Sequence, residues 1–427
     1  MKFIDNPDRS QWRALVTRPV HPHASLDEGI LEILDSVRKE GDSALIKYTL
    51  QFDGQKVESL SVSHEIVEAA INALDPALRQ AIETAATNIR TFHSAQARGT
   101  ERVETMQGVV CWRKYVPIER VGIYIPGGSA PLFSTVLMLG IPAQLAGCKE
   151  IQLCTPPGQD GAIHPAILFA ADYCGITQIH PVGGAQAIAA MAFGTASVPA
   201  VSKIFGPGNQ YVTRAKQLVA QQGTAIDMPA GPSEVLVYGD DTCVPAFVAA
   251  DLLSQAEHGP DSHVVMISRD LNILQAVSKE IENQLPTLPR ADVASRALKN
   301  SLMIHIENEE TILDFINDYA PEHLILQIRD AESIAGKITN AGSVFIGPWT
   351  PEAVGDYASG TNHTLPTNGF AKSFSGISLD SFTKGITFQS LTEEGLRNIG
   401  PVVETLAKAE HLEAHRRAIQ IRMQKLS

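Results

Sequence analysis

The chain has 427 residues, a formal net charge of −13 and a pI near 5.5, with 44% hydrophobic and 19% charged residues. This composition is typical of a folded globular protein and excludes a disordered chain, and the length favours about two to four domains. Because the acidic balance offers no strong positive field for phosphates, nucleic acid and a membrane surface are not expected as partners.

Helical patterns dominate the first part of the chain. A polar N-terminal arm over residues 1–21, which lacks the apolar core of a signal peptide, precedes two stretches, 27–53 and 64–96, whose apolar residues recur at three- and four-residue spacing. From about Val109 the pattern changes to short β-branched runs that alternate with segments long enough for helices. The last region, from about Ser381, is predicted to be largely helical. Strands are predicted at residues 121–125, 150–154, 178–182, 202–205, 235–238, 263–268, 302–306, 323–327 and 343–346.

The alternation of strands and helices predicts an α/β fold with parallel sheets covered by helices on both faces. Residues 121–155 follow the order strand, glycine turn, helix, strand, and residues 234–268 repeat that order over the same length. Two related α/β domains explain this repeat, although any two βαβ units share the pattern.

The uncharged stretch 121–148 and the cysteines bear on the cellular compartment. Pro126, Pro131 and Pro142 interrupt that stretch, so we interpret it as a buried strand, turn and helix rather than a membrane span. The cysteine count is odd and no two cysteines form a CxxC pair, which favours a cytoplasmic, reduced protein with buried thiols. The cysteines are Cys111, Cys148, Cys154, Cys174 and Cys243.

Glycine-rich turns follow several predicted strands, at residues 126–131, 183–190, 206–212 and 230–234. Glycine between a strand and a helix lets backbone N–H groups approach a phosphate at the helix N-terminus. None of these turns has the G-x-G-x-x-G spacing of a dinucleotide-binding loop. The turns therefore indicate either a nucleotide or phosphate site or tight α/β turns that require positive φ.

Scattered polar patches contain the residue types of a metal site. Gln255 and His258 are three apart in a helix-like segment, so they point to the same face and can bind one cation. A carboxylate, Asp356, and a second imidazole, His415, would complete a mixed nitrogen and oxygen shell suited to zinc.

Each of these patches also has a plainer structural interpretation. A helix stop follows His258, where an imidazole can simply complement the helix dipole. Asp356 lies in a predicted loop rich in glycine and asparagine, in which His363 is a further candidate ligand. Glu410 and His415 are five apart on the terminal helix, about 140° around its axis, so they do not share a narrow face.

Glu322 and His323 are adjacent and offer two proton-transfer groups. They precede and begin the predicted strand 323–327, in which neighbouring side chains point to opposite faces. Both can therefore serve one site only at the mouth of that strand.

Long motifs give the chain a resemblance to a known family. They are VGIYIPGGSAPLFSTVLMLGIPA, VGGAQAIAA, KIFGPGN, DMPAGPSEVLV, DLLSQAEHGPDS, APEHL and GDYASGTNHTLPT. Together they cover nearly the whole length, and through them the chain resembles the histidinol dehydrogenase family. The resemblance implies zinc-dependent oxidation of L-histidinol to L-histidine via L-histidinal, by two hydride transfers to two NAD molecules, as the final step of histidine biosynthesis.

The resemblance also implies a role for each candidate residue. Glu322 and His323 would be the catalytic acid–base pair. One zinc ion per subunit would be held by Gln255, His258, Asp356 and His415. Substrate contacts would come from Ser233, Gln255, His258, His323, Asp356, Glu410 and His415. Contacts to NAD would come from Tyr124, Gln186 and Asn209.

The implied architecture has two related, incomplete Rossmann-like α/β domains. The first would be discontinuous, with residues 22–120 and 235–380, and the second would contain residues 121–234. A helical C-terminal domain, residues 381–427, would reach into the partner subunit of a homodimer with shared active sites. The protein would be cytoplasmic.

Two other classes of function are compatible with parts of the sequence. A zinc hydrolase would use Glu322 as general base beside a water activated by the metal. The glycine turns and the lack of a helical H-E-x-x-H motif argue against that class. A catalytically inactive metal- or nucleotide-binding protein is the other class, and the presence of both proton-transfer residues argues against it.

Overall fold

The computed structural model describes residues 1–18, 24–127, 130–229 and 231–426. The strands are β1 (Lys2–Asp5), β2 (Arg102–Met106), β3 (Val109–Pro117), β4 (Arg120–Tyr124), β5 (Glu150–Thr155), β6 (Gln178–Pro181), β7 (Lys203–Phe205), β8 (Ala225–Ile226), β9 (Glu234–Gly239), β10 (His263–Ser268), β11 (Leu302–His305), β12 (His323–Gln327), β13 (Ser343–Ile346) and β14 (Thr383–Leu391). The helices are α1 (Arg9–Val16), α2 (Ala24–Glu40), α3 (Asp42–Asp53), α4 (His64–Ala73), α5 (Pro76–Ser94), α6 (Phe133–Ala146), α7 (Pro165–Tyr173), α8 (Gly184–Phe193), α9 (Gln210–Ala220), α10 (Pro245–Ala256), α11 (Leu271–Gln284), α12 (Ala291–Lys299), α13 (Glu309–Tyr319), α14 (Ala331–Ala335), α15 (Glu352–Tyr357), α16 (Glu393–Ala409) and α17 (Glu413–Leu426).

Two parallel sheets form the framework. The five-stranded sheet has the order β6-β5-β4-β7-β8, and the six-stranded sheet has the order β1-β11-β10-β9-β12-β13. Counted from β4 and from β9, both sheets follow the order 3-2-1-4-5, which is the Rossmann-like order without its sixth strand. The predicted α/β fold is confirmed, every predicted strand is present, and the shared order supports the predicted relation between the two units.

A third, antiparallel sheet differs from the prediction. Strand β14 pairs with β3 along its whole length, and β2 pairs with the other side of β3. The prediction that the chain is helical from about Ser381 was therefore wrong for β14 and right for α16 and α17. The strand is specified by its partner, because Phe388 stacks on Trp112 of β3 with ring centroids 5.3 Å apart.

The first 21 residues are not a separate arm in the part the structure describes. Strand β1 extends the six-stranded sheet by pairing with β11, and Trp12 of α1 packs edge-on against Phe315 of α13 at 5.3 Å. Strand β1 has only four residues, which is too short to give a hydrophobic period in the sequence.

Helices α2 to α5 pack against the five-stranded sheet rather than the six-stranded one. Ile30 and Leu34 of α2 share a core with Ile188 and Val212, and Ile82 of α5 belongs to a second core around β4 and α6. These helices thus share their cores with the five-stranded sheet, and the predicted domain that joins residues 22–120 to 235–380 stays a prediction. The amphipathic spacing predicted which faces of these helices are buried, but it did not predict which sheet they pack against.

Helix α6 explains the uncharged stretch. Its residues from Ser134 to Ala143 are all buried, so the helix has no polar face. Among the described residues, no helix combines the length and the apolarity needed to cross a membrane.

Candidate active site

A cleft of about 390 Å³ separates the two parallel sheets. One wall is formed by the turns after β7 and β8, at the carboxyl edge of the five-stranded sheet. The other wall is formed by residues that precede β9, β10 and β12, at the amino edge of the six-stranded sheet, and it includes Ser233, His258 and Glu322.

The acid–base candidates meet at the mouth of β12. Glu322 immediately precedes the strand, His323 begins it, and both are buried. The His323 Nδ1 atom lies 3.7 Å from Glu322 Oε2 and 3.1 Å from the backbone oxygen of Glu234. The His323 Nε2 atom lies 3.4 Å from Asp356 Oδ1. The irregular strand start therefore lets two adjacent side chains serve one site.

Burial and charge act oppositely on this pair. Burial raises the pKa of Glu322 to about 8, although the neighbouring His323 ring opposes the shift. Burial disfavours the charged form of His323, but the carboxylates of Glu322, Glu352 and Asp356 outweigh burial and raise the pKa of His323 to about 10. An added positive charge beside Asp356 would move the pKa of His323 back towards neutrality.

A group of possible metal ligands adjoins the pair. The ligand atoms of His258, Glu352 and Asp356 lie within 4.8 Å of one another. Gln255 is fully buried in the last turn of α10 beside Glu352. In one amide orientation its oxygen faces the Glu352 carboxylate, and in the other its nitrogen donates to Glu352 Oε2 over 3.2 Å. Converging carboxylates with imidazole and amide donors fit a divalent cation such as zinc.

Glu352 was missed by the sequence analysis. Residues 352–357 were predicted to be a loop, but they form α15, so Glu352 and Asp356 lie one turn apart on the same face. The four-residue spacing was the available signal, and the nearby glycine and asparagine obscured it. Burial raises the pKa of Glu352 to about 8, against the opposing charge of His323.

His363, the further candidate ligand, has partners at both ring nitrogens. Nδ1 lies 2.7 Å from the backbone oxygen of Asp356, and Nε2 lies 3.0 Å from Thr135 Oγ1. These contacts tie the residues after α15 to α6. The ring thus supports Asp356 from behind rather than offering a free ligand atom.

The other metal and substrate candidates are distributed differently. Ser233 lines the cleft between the sheets. Glu410 and His415 are exposed on the C-terminal helices and do not line that cleft among the described residues. Helix α17 packs against α16 and buries none of its own described residues. Within one chain, the predicted ligand His415 is therefore not brought to His258 and Asp356.

A larger cleft, of about 1160 Å³, opens at the carboxyl edge of the five-stranded sheet. Tyr124 at the end of β4, Gln186 in the first turn of α8, and Asn209 before α9 all line it. Asn209 also caps α9, since its side chain accepts hydrogen bonds from the backbone N–H groups of Tyr211 and Val212. The three predicted NAD contacts thus lie in one cleft, which also adjoins the smaller cleft at Asn209.

The chemistry of the larger cleft fits a dinucleotide. The Gln186 side chain is fully buried, yet neither its amide oxygen nor its nitrogen has a hydrogen-bond partner among the described residues. The N-terminus of α8 opens here, at Gly183 and Gly184, as in sites that bind phosphate. Gly184 and Gly206 have positive φ, and a Cβ on Gly206 would meet the Tyr124 backbone oxygen. The tight-turn interpretation is therefore correct for these two glycines and does not exclude a phosphate.

Among the described residues, no cysteine lines either cleft. Cys154 and Cys174 are buried in apolar cores, and burial raises the pKa of each thiol to about 12. A buried neutral thiol is a poor nucleophile, so these two cysteines do not suit covalent catalysis.

Comparison with known proteins connects this geometry to a family. Residues 16–423 match the family model described as histidinol dehydrogenase. The chain is 53% identical to "Histidinol dehydrogenase" of Bacteroides fragilis over 426 residues, covering 100% of both chains. It is 52% identical to "Histidinol dehydrogenase, chloroplastic" of Arabidopsis thaliana, covering 97% of this chain and 89% of the relative. The crystal structure of histidinol dehydrogenase from Elizabethkingia anophelis is 54% identical, with a TM-score of 0.98 and coverage of 100% and 98%.

Proposed function

The chain belongs to the histidinol dehydrogenase family, and from this premise we propose how its two clefts work together. It is an oxidoreductase that oxidises histidinol in histidine biosynthesis. We infer that it converts L-histidinol to L-histidine via L-histidinal, as the final step, with two sequential hydride transfers to two NAD molecules and one zinc ion per subunit.

One observation carries the proposal. The Glu322–His323 pair lies against a group of metal-type ligands, and Glu322 and His258 line the cleft that adjoins the larger cleft at Asn209. A substrate held between the sheets would therefore have proton acceptors on one side and the dinucleotide on the other. Holding the reacting groups in this order supplies much of the rate.

His323 would act in both oxidations. Its ring would accept the hydroxyl proton of histidinol, so that the hydride can leave from the same carbon and give the aldehyde. Glu322 would take a proton from water as the water adds to the aldehyde carbon. His323 would then accept a hydroxyl proton of the hydrate as the second hydride leaves and the carboxylate forms. Retaining the aldehyde in a narrow cleft protects a reactive amino aldehyde from solvent.

Zinc would be held by Gln255, His258 and Asp356, with His415 from a partner subunit. When bound, the ion would orient the imidazole and amine of histidinol and offset the negative charge of the surrounding carboxylates. Ser233 would contact the substrate from the turn before β9, and Glu410 would do so from the partner.

NAD would occupy the larger cleft through Tyr124, Gln186 and Asn209. Gln186 supports this assignment, because a buried amide without partners is costly and a bound nicotinamide or phosphate would satisfy it. The Tyr124 hydroxyl accepts a hydrogen bond from Gly184 N–H at 3.0 Å and so fixes the turn that would face the phosphates.

A cytoplasmic homodimer with shared active sites completes the proposal. The C-terminal helices expose Val402, Leu406, Leu412 and Ile421, and β14 exposes Phe388. Apolar side chains on consecutive elements are typical of a surface covered by a partner. A partner would bring Glu410 and His415 to the cleft that they do not reach in one chain.

Mixing two inactive variants tests the sharing of sites. Glu322→Gln and His415→Asn proteins, allowed to exchange subunits, should regain part of the activity because some mixed sites carry neither substitution. Pairing Glu322→Gln with His323→Gln is the matched control: one subunit supplies both residues to a site, so every mixed site carries one substitution and no recovery is expected. Confirmed exchange without recovery in the first mixture would mean that each subunit supplies its own site.

The yield of reduced nicotinamide tests the proposed reaction. Limiting L-histidinol with excess NAD should give two reduced nicotinamides per histidine, and the activity should disappear with a zinc chelator and return with zinc. One reduced nicotinamide per substrate, with release of the aldehyde, would refute the second oxidation. Turnover of an ester or amide without NAD would instead favour the zinc hydrolase.

A further inference from the structure

We propose that Glu234 is a positioning residue that sets the geometry of the acid–base pair, and that Arg18 holds it in place. The inference rests on the proposed roles of Glu322 and His323 and extends them. Glu234 is the first residue of β9, beside β12 in the six-stranded sheet, and its side chain is fully buried.

The peptide groups of Glu234 contact both members of the pair. Its backbone N–H donates to Glu322 Oε2 at 2.8 Å, and its backbone oxygen lies 3.1 Å from His323 Nδ1. One residue of β9 thus draws two adjacent side chains of β12 to the same place, although a regular strand would direct them to opposite faces.

This contact assigns the protons of the imidazole. A backbone oxygen can only accept, so His323 Nδ1 must carry a proton to bond with Glu234. The other nitrogen, Nε2, is buried, has no hydrogen-bond partner among the described residues and faces Asp356. Because Glu234 engages Nδ1, Nε2 is the ring nitrogen that would meet the substrate in the proposed reaction.

Arg18 fixes the Glu234 side chain in two directions. Its Nε donates to Glu234 Oε1 at 3.0 Å and its Nη2 to Oε2 at 2.7 Å, so the pair is bidentate. The same guanidinium donates to the backbone oxygen of Tyr319 at 2.8 Å and lies 3.6 Å from the centre of the Tyr319 ring. Tyr319 ends α13, three residues before Glu322. Arg18 therefore connects the start of β9 to the end of α13, just before β12.

The surrounding contacts make this arrangement rigid. Asn368 N–H also donates to Glu234 Oε1, at 2.5 Å, and Asn368 itself belongs to the wall of the cleft. Removing only Arg18 or only the Glu234 charge would leave a buried unpaired ion and destabilise the fold. The informative variant is consequently the neutral double variant Arg18→Met with Glu234→Gln, which keeps similar volumes and leaves no buried ion.

Steady-state kinetics separate a positioning role from a purely structural one. In the folded double variant, kcat should fall by up to about 100-fold, because a displacement of about 1 Å has that effect on proton transfer. The KM for histidinol and the bound zinc should not change, and the isotope effect with histidinol deuterated at its reacting carbon should rise as chemistry becomes rate-limiting. Arg18→Lys keeps the charge but loses the bidentate geometry, so its kcat should lie between those of the wild-type protein and the double variant.

The pair Arg214 and Asp27 provides a matched control. It is also bidentate, with distances of 2.6 and 2.7 Å, and joins α9 to α2 without lining either cleft. Arg214→Met with Asp27→Asn should lower the melting temperature without lowering kcat. An unchanged kcat in the folded Arg18/Glu234 double variant, or an equal loss of kcat in both double variants, would overturn the proposal.

A spectroscopic measurement is independent of turnover. In protein labelled with ¹⁵N at the histidine rings, the His323 signals are those lost in His323→Gln. They should show a slowly exchanging proton on Nδ1, and this proton should exchange rapidly in the Arg18/Glu234 double variant. A wild-type ring protonated only on Nε2 would refute the positioning role whether or not the enzyme oxidises histidinol. Failure of histidinol oxidation with this spectrum intact would instead refute the proposed function alone.

Discussion

The two parallel sheets have the same strand order but use opposite edges. The five-stranded sheet presents its carboxyl edge to the larger cleft, as open α/β sheets usually do. The six-stranded sheet presents its amino edge, where Glu322, His323 and the turn before β9 lie. The smaller cleft forms because these unlike edges face each other, so the repeated strand order does not give two equivalent clefts.

The carboxyl edges of the two sheets differ in how their polar groups are paired. A recess of about 600 Å³ lies at the carboxyl edge of the six-stranded sheet, and charged side chains in its wall pair with one another. Asp240 accepts from Arg329 N–H at 2.9 Å, and Arg329 pairs with Asp241 at 3.3 Å. The corresponding edge of the five-stranded sheet instead holds the Gln186 amide, which has no hydrogen-bond partner among the described residues. The charged groups at one edge thus have partners within the protein, whereas the buried amide at the other edge has polar atoms available for a ligand.

The largest effect is expected from removing His323, the proposed proton acceptor at the amino edge of the six-stranded sheet. His323→Gln should lower kcat by about 10² to 10⁴-fold with either histidinol or histidinal as substrate, because both oxidations need it. Glu322→Gln should slow the histidinal step more than the histidinol step. His305, at the carboxyl edge of the same sheet, bonds to Asp5, and His305→Gln should leave kcat unchanged. A comparable loss from His305→Gln would remove the distinction between the edges.

Zinc binding should also depend on residues at the amino edge of the six-stranded sheet. His258→Asn should release zinc and weaken histidinol binding together, by about 10-fold or more in zinc affinity, since one of few ligands is lost. Metal content after dialysis and binding of histidinol would be measured on the same protein. His164→Asn, which changes a histidine in the wall of the larger cleft, is the matched control and should keep its zinc. Full zinc occupancy in His258→Asn would contradict the ligand assignment.

The carboxyl edge of the five-stranded sheet should respond to loss of Gln186 with two changes of opposite sign. Gln186→Leu should weaken NAD binding roughly 10-fold, the equivalent of about one hydrogen bond. The same variant should raise the free energy of unfolding of the protein without NAD, because it removes a buried amide that has no partner. Calorimetric titration and denaturant unfolding measure the two effects. Lower stability together with unchanged NAD binding would show that the amide has a structural role only.

The smallest expected effect is on stability, through the protonation of His263, which begins β10. Burial lowers the pKa of His263 to about 4, and the nearby charge of Arg18 adds to this shift. A lowered folded-state pKa means that stability is fully present above pH 6.5 and is lost as the pH falls through 4. At pH 5 the loss should be about 2 kcal/mol of unfolding free energy relative to pH 7. Unfolding of wild-type and His263→Gln proteins in urea at both pH values measures it, and an equal pH effect in both would exclude His263.

Local sequence determined much of the fold. Short β-branched runs separated by helix-length segments identified nine of the eleven strands of the two parallel sheets, all except β1 and β8, since period and length are local properties. The two similar segments beginning near Val121 and Glu234 indicated related units, and the strand orders agree with this. The long motifs identified the family, which the comparisons confirm.

The tertiary structure decided which distant residues share a site. Glu352 entered the metal-type group only because residues 352–357 form a helix, and β14 became a strand only through its pairing with β3. Helices α2 to α5 have clear apolar faces, but the sheet that covers them followed from packing alone.

The clearest case is the pair of edges itself. The sequence supplied Glu322 and His323 as proton-transfer residues, and it supplied the glycine turns, but each lies on a different sheet. Which polar groups satisfy one another across long sequence separations, as Arg18 and Glu234 do, depends on the fold. Only the structure therefore shows that the amino edge of one sheet and the carboxyl edge of the other line a single cleft.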